Sequence, residues 1–123
     1  MTRVIIADDS GTARMFVRKC LEIAGYSDAE FLEAKNGVEA LAALGKGSVN
    51  LIVTDLTMPD MDGTELVRRV KSDKRYSPIP VLVITSAKNA AKEAELLGLG
   101  AAAVVAKPVS PAAMKQALSK IKS

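Results

Sequence analysis

Five short apolar runs, each followed by a stretch with helical spacing, restrict this chain to a parallel sheet covered by helices. The runs are Arg3 to Ala7, Asp28 to Ala34, Leu51 to Asp55, Val81 to Thr85 and Ala101 to Ala106. Near-continuous apolarity, as in Val4-Ile5-Ile6-Ala7 and Val81-Leu82-Val83-Ile84, belongs to strands buried on both faces. Parallel neighbours need a crossover helix, and such crossovers are right-handed. The pattern predicts an α/β protein with a doubly wound five-stranded parallel sheet and five helices, its second strand the weakest. With 123 residues and no linker or repeat, positions 1–123 read as one domain.

Capping residues mark the helix starts. Ser10 or Thr12 can cap the first helix, whose apolar positions include Phe16, Cys20, Leu21 and Ala24, with Gly25 as its stop. Asn36-Gly37-Val38-Glu39 opens the second with a cap residue and a glutamate three positions later. The third runs from about Thr64, with Leu66, Val67 and Val70 inward and Arg68, Arg69 and Lys71 outward. Asn89 caps a fourth helix that passes Ala94 and Leu97 and stops at Gly98 or Gly100. Ser110-Pro111 opens a fifth, in which Met114, Leu118 and Ile121 recur at helical spacing. Met15, Met61 and Met114 read as packing residues, and Met58 as part of the turn after Asp55.

Composition excludes several function classes. The only aromatics are Phe16, Tyr26, Phe31 and Tyr76, so there is no stacking platform for nucleic-acid bases. The net charge is +3, and the four lysines after Glu95 are spread over a strand end and a helix rather than forming a dense basic stripe, so no direct nucleic-acid binding is expected. No apolar run approaches membrane-spanning length, and no membrane partner is expected. The single cysteine, Cys20, reads as a reduced core thiol and points to a cytoplasmic compartment.

In a doubly wound sheet, ligands sit at the carboxyl ends of the strands. There the chain gathers its polar chemistry: Asp8 and Asp9 after the first strand, Asp55 at the third, Ser86 after the fourth and Lys107 after the fifth. Thr85 offers a second hydroxyl beside Ser86. Any one of these residues alone is more ordinarily a cap, a turn residue or a solvated charge. Carboxylates about 4 Å apart repel by roughly 4 kcal/mol per pair at an effective dielectric of 20, so the cluster asks for a hard cation. Mg²⁺ suits oxygen-only ligands, and a chain with no histidine and one cysteine offers little to zinc.

These residues resemble the receiver domains of bacterial two-component response regulators, the single-domain CheY-like proteins being nearest in length. The pairs Asp8-Asp9 and Lys107-Pro108, the run Asp55-x-x-Met58-Pro59-x-x-x-Gly63 and the hydroxyl of Ser86-Ala87 match in order and spacing, and Asn36-Gly37-x-Glu39-Ala40-Leu41 is similar too. The resemblance covers the whole chain. It implies a flavodoxin-like strand order of 2-1-3-4-5, for which CheY is itself the standard example. It implies Asp55 as phosphoacceptor, with Asp8, Asp9, Asp55 and the Thr57 backbone carbonyl around Mg²⁺, and Lys107 and Ser86 bonding phosphoryl oxygens.

The donor would be a sensor histidine kinase or a histidine phosphotransfer protein, and the output a protein target whose identity the sequence does not name. Such a domain catalyses only its own phosphorylation and dephosphorylation. The chain departs from CheY-like receivers at Val104 and Val109, where aromatics are common three residues before and two residues after the lysine. A haloacid-dehalogenase-type Mg²⁺-dependent phosphatase or phosphotransferase is the main alternative, disfavoured because Thr57 stands where its second aspartate belongs. A flavin-binding module of the same topology is disfavoured by the acidic rim. A third alternative is a receiver fragment of a larger regulator.

Overall fold

A computed structural model describes residues 2–121. The elements are β1 (Arg3–Ala7), α1 (Gly11–Leu21), β2 (Glu30–Ala34), α2 (Gly37–Leu44), β3 (Leu51–Asp55), α3 (Gly63–Ser72), β4 (Val81–Thr85), α4 (Ala90–Leu99), β5 (Ala103–Ala106) and α5 (Pro111–Leu118). All strand pairs are parallel, in the order β2-β1-β3-β4-β5. The order reverses between β1 and β3, which pair from Val4 opposite Leu51 to Ala7 opposite Thr54. That register brings the ends of β1 and β3 to the same edge of the sheet.

Alternate residues of the strands feed two cores. Ile5, Ile52, Val81 and Val83 pack with Leu66, Val67 and Val70 of α3 and Leu96 of α4 on one face. On the other, Val4, Ile6, Val53, Leu82 and Ile84 pack with Val17, Cys20 and Leu21 of α1 and Met114 of α5. Each fully buried Val, Ile or Leu contributes roughly 1.5–3 kcal/mol, so a rigid double-sided sheet supports whatever projects from its rim. Burial raises the pKa of Cys20, in keeping with a core thiol.

The capping residues act as the sequence predicts. The side chains of Ser10, Asn36, Asn89 and Ser110 accept hydrogen bonds from Ala13, Glu39, Lys92 and Ala113; Asp62, which the sequence reading did not mark, caps α3 through the Glu65 N–H. Ser10 rather than Thr12 is therefore the first cap. α1 does not stop cleanly at Gly25 but runs into a wider turn, Glu22–Tyr26, with Gly25 at φ 123°.

Several side chains and boundaries differ from the reading above. Met15 is 70% exposed and Phe16 50% exposed, so neither is a core residue: Val17, Cys20 and Leu21 already fill the face that α1 turns to the sheet. In α4 the buried residue is Leu96, and Leu97 is exposed. Lys71 is not an outward residue. Its ammonium donates to the carbonyls of Ser77 (2.9 Å) and Ile79 (2.6 Å), tying α3 to the segment entering β4, and burial lowers its pKa. β2 and β5 begin at Glu30 and Ala103, two residues later than the apolar runs suggest.

Candidate functional site

The carboxyl ends of β1, β3 and β5 deliver the charged groups. Asp55 is the last residue of a strand buried along its whole length, and its carboxylate is 9% exposed. Its Oδ1 accepts from the Leu56 backbone N–H at 3.0 Å and faces the Lys107 ammonium at 3.3 Å. Asp8, also buried, accepts from the Ser10 backbone N–H at 2.9 Å through Oδ1 and faces Lys107 at 3.6 Å through Oδ2. Asp9 is exposed, yet one oxygen from each of Asp8, Asp9 and Asp55 fits within a 4.8 Å group.

Charge is unbalanced here: three carboxylates meet one ammonium. Burial pushes the Asp55 pKa up, the neighbouring Asp8 charge adds to this, and Lys107 opposes both. For Lys107, partial burial works against the ammonium, but Asp55 and Asp8 outweigh it and its pKa is raised. The donor set is entirely oxygen, converging, and two positive charges short, which is the chemistry of a hard divalent cation site.

The loop after Asp55 is held by a set of close contacts. The Gly63 N–H donates to the Leu56 carbonyl at 2.8 Å, and a Cβ on Gly63 would collide with the Asp55 carbonyl oxygen. Only glycine lets the first residue of α3 lie on the backbone of the phosphoacceptor candidate. Asp60 adopts φ 67°, a left-handed conformation that aspartate tolerates better than most residues, and its carboxylate accepts from Asn36 at 3.2 Å. The Gly37 N–H donates to the Met61 carbonyl at 2.9 Å, with the Met61 side chain lying on Gly37. Thr57, two residues past Asp55, is exposed on this loop, whereas Met58 beside it is buried.

The two hydroxyls at the end of β4 divide their roles. Thr85 is buried and its Oγ1 accepts from the Ala87 N–H at 3.0 Å, so it closes the turn. Ser86 is exposed at the rim. The Lys107 N–H donates to the Thr85 carbonyl at 2.9 Å, which brings the lysine next to that turn, and the Lys107–Pro108 peptide is cis. Lys88 faces Glu93 at 3.8 Å and an open pocket of about 280 Å³ walled by Val104, Ala113 and Gln116, rather than the carboxylates.

Sequence reasoning passed over Arg14. Its guanidinium donates to the Asp8 carbonyl at 2.6 Å and to Glu33 of β2 at 2.5 Å. No local pattern marks it, because its partners lie in β2 and in the turn just after β1.

Sheet order, acidic rim and flanking lysine together define a doubly wound α/β protein with a cluster of carboxylates and a lysine at the carboxyl ends of its strands. Residues 4–119 match the response regulator receiver domain family, and the chain belongs to that family. It is 34% identical over 120 residues to chemotaxis protein CheY1 of Helicobacter pylori, covering 97% of this chain and 95% of that one. A chemotaxis protein CheY homolog of Campylobacter jejuni is 33% identical, covering 97% of this chain and 91% of its own length. The solved structure of the chemotaxis response regulator CheY4 of Vibrio cholerae superposes with a TM-score of 0.85 at 32% identity, covering 99% of each chain. As a receiver the chain is a phosphorylation-dependent signalling domain rather than an enzyme acting on a separate substrate. Among the described residues no helix is long and apolar enough to cross a membrane.

Proposed function

We propose that positions 1–123 form one cytoplasmic receiver domain that accepts a phosphoryl group on Asp55 from a phosphohistidine of a sensor histidine kinase or a histidine phosphotransfer protein. The observation that carries this reading is the buried Asp55 carboxylate on a rigid strand end, 3.3 Å from Lys107 and grouped with Asp8 and Asp9. An Asp55 oxygen attacks phosphorus while the P–N bond breaks, its electron pair going to a donor ring already protonated on its other nitrogen, so that neutral imidazole leaves. Such transfers depend mainly on positioning and on neutralising the equatorial oxygens.

Asp8, Asp9, Asp55 and the Thr57 carbonyl would hold Mg²⁺, with Asp8 acting mainly through a bound water. The metal would neutralise charge on the carboxylates and on the transferring group. Lys107 bonds one phosphoryl oxygen and Ser86, exposed at the rim, another. The likeness to chemotaxis proteins over nearly the whole chain favours a protein target as output rather than nucleic acid.

Acetyl phosphate with Mg²⁺, followed by intact mass and peptide mapping, tests the assignment. The expected result is one phosphoryl group on Asp55, none on Asp55→Asn, and strong suppression by a chelator. Equal labelling of Asp55→Asn would falsify Asp55 as the acceptor.

A further inference from the structure

Arg14 is a cation beside an acidic cluster, yet its geometry is that of a clasp. Its side chain is 13% exposed, with the guanidinium shared between the Asp8 carbonyl at 2.6 Å and Glu33 at 2.5 Å. The Asp8 N–H donates to the Ala34 carbonyl at 3.0 Å, one residue past Glu33. Asp8 is therefore tied at its N–H by β2, at its carbonyl by Arg14, at Oδ1 by Ser10 and at Oδ2 by Lys107. Asp9, by contrast, is exposed and directly follows the carbonyl that Arg14 holds.

We propose that Arg14 is a positioning residue for cation binding: by clamping the Asp8–Asp9 peptide, just past β1, to Glu33 of β2, it aims the Asp9 carboxylate at Asp8 and Asp55. This rests on the metal reading given above. Two physical effects of losing Arg14 have opposite signs, which makes the idea decidable. Removing a positive charge beside three carboxylates strengthens cation binding by electrostatics alone. Releasing the peptide that aims a ligand weakens it, and residues that orient metal ligands typically matter by about 10- to 100-fold in affinity. The proposal states that the second effect wins.

The test is a titration of the full chain with MgCl₂, followed by backbone amide shifts and by heat of binding, for wild type, Arg14→Ala, Arg14→Lys and Asp9→Asn. Arg14→Lys keeps the charge and perturbs folding least, but its single ammonium lacks the planar fork that spans both partners. The expected result is roughly tenfold or greater weakening in both Arg14 variants, with the Asp9 amide displaced before any metal is added. Mg²⁺ binding by Arg14→Ala as tight as wild type or tighter, or an unweakened Arg14→Lys, overturns the proposal while leaving the metal site standing. If wild type binds no Mg²⁺, or Asp9→Asn binds it unchanged, the metal reading falls and this inference with it.

Discussion

Replacing Asp55 by Asn should stabilise the metal-free protein even though it removes an ion pair. At an effective dielectric near 20, carboxylates with oxygens within 4.8 Å of one another repel by about 3.5 kcal/mol per pair or more, and Asp55 has two such neighbours. The opposing attraction to Lys107 at 3.3 Å is about 5 kcal/mol on the same scale. Solvent screens the attraction, since the lysine side chain is 33% exposed, and screens the repulsion from exposed Asp9 as well. Burial of the Asp55 charge tips the remainder, as the raised pKa records.

A gain of about 1–2 kcal/mol follows, or roughly 3–10 °C in Tm for a domain of this size. Its pH dependence has a definite sign. With a folded pKa above the unfolded one, Asp55 holds more proton in the folded state, so wild-type stability falls as pH rises through the raised pKa. The advantage of Asp55→Asn is therefore greatest near neutrality and shrinks as pH falls toward the ordinary carboxylate range. Thermal melts in chelator between pH 4 and 7.5 measure this directly. Saturating Mg²⁺ should then narrow or reverse the gap, since a ligand at 100 times its Kd adds about 2.7 kcal/mol to whichever protein binds it. If Asp55→Asn melts at or below wild type in chelator at pH 7, the charge imbalance inferred for this rim is wrong.

Lys107→Ala should leave the fold intact but abolish the phosphorylation-dependent change in partner binding, because the ammonium stabilises charge at the rim rather than filling the core; partner binding that still responds to phosphorylation counts against this. Gly63→Ala should cost about 2 kcal/mol or more in chemical denaturation, because its Cβ would meet the Asp55 carbonyl and both sides of that contact are backbone. A cost below 0.5 kcal/mol would show that the loop yields. Val104 is buried beside the pocket of about 280 Å³ against α5, and valine cannot make the swing of an aromatic ring. Amide shifts on adding beryllofluoride and Mg²⁺ should be large near Asp55, Ser86 and Lys107 and weak from Met114 to Ile121. Val104→Tyr should strengthen the distal shifts, and distal shifts as weak as before would clear the missing ring of responsibility.

Much of this protein was legible in the order of its residues because the governing signals are local. Five apolar runs separated by capped helical patterns determine a parallel α/β sheet, since strand burial and crossover chemistry each depend on a few neighbouring residues. The same runs deliver Asp8, Asp9, Asp55, Ser86 and Lys107 to one rim, because each of them ends a strand or lies within two residues of its end. Where local patterns misled, competition for space was the reason. Phe16 and Met15 have core-type side chains, but Val17, Cys20 and Leu21 occupy the face of α1 that meets the sheet. Lys71 carries a charge, yet it finds two carbonyls on a segment that only the fold brings near.

The features that tune the site belong to the tertiary structure alone. The Arg14 clasp joins a helix to β2 and to the turn after β1, Asn36 and Gly37 hold the Asp60–Met61 turn across the rim, and Gly63 is required by the Asp55 carbonyl above it. The sequence by itself determined which groups reach the rim, because strand ends are set by near neighbours. How those groups are aimed and how far their charges are balanced is decided by contacts between residues distant in the chain, and those exist only once the sheet has formed.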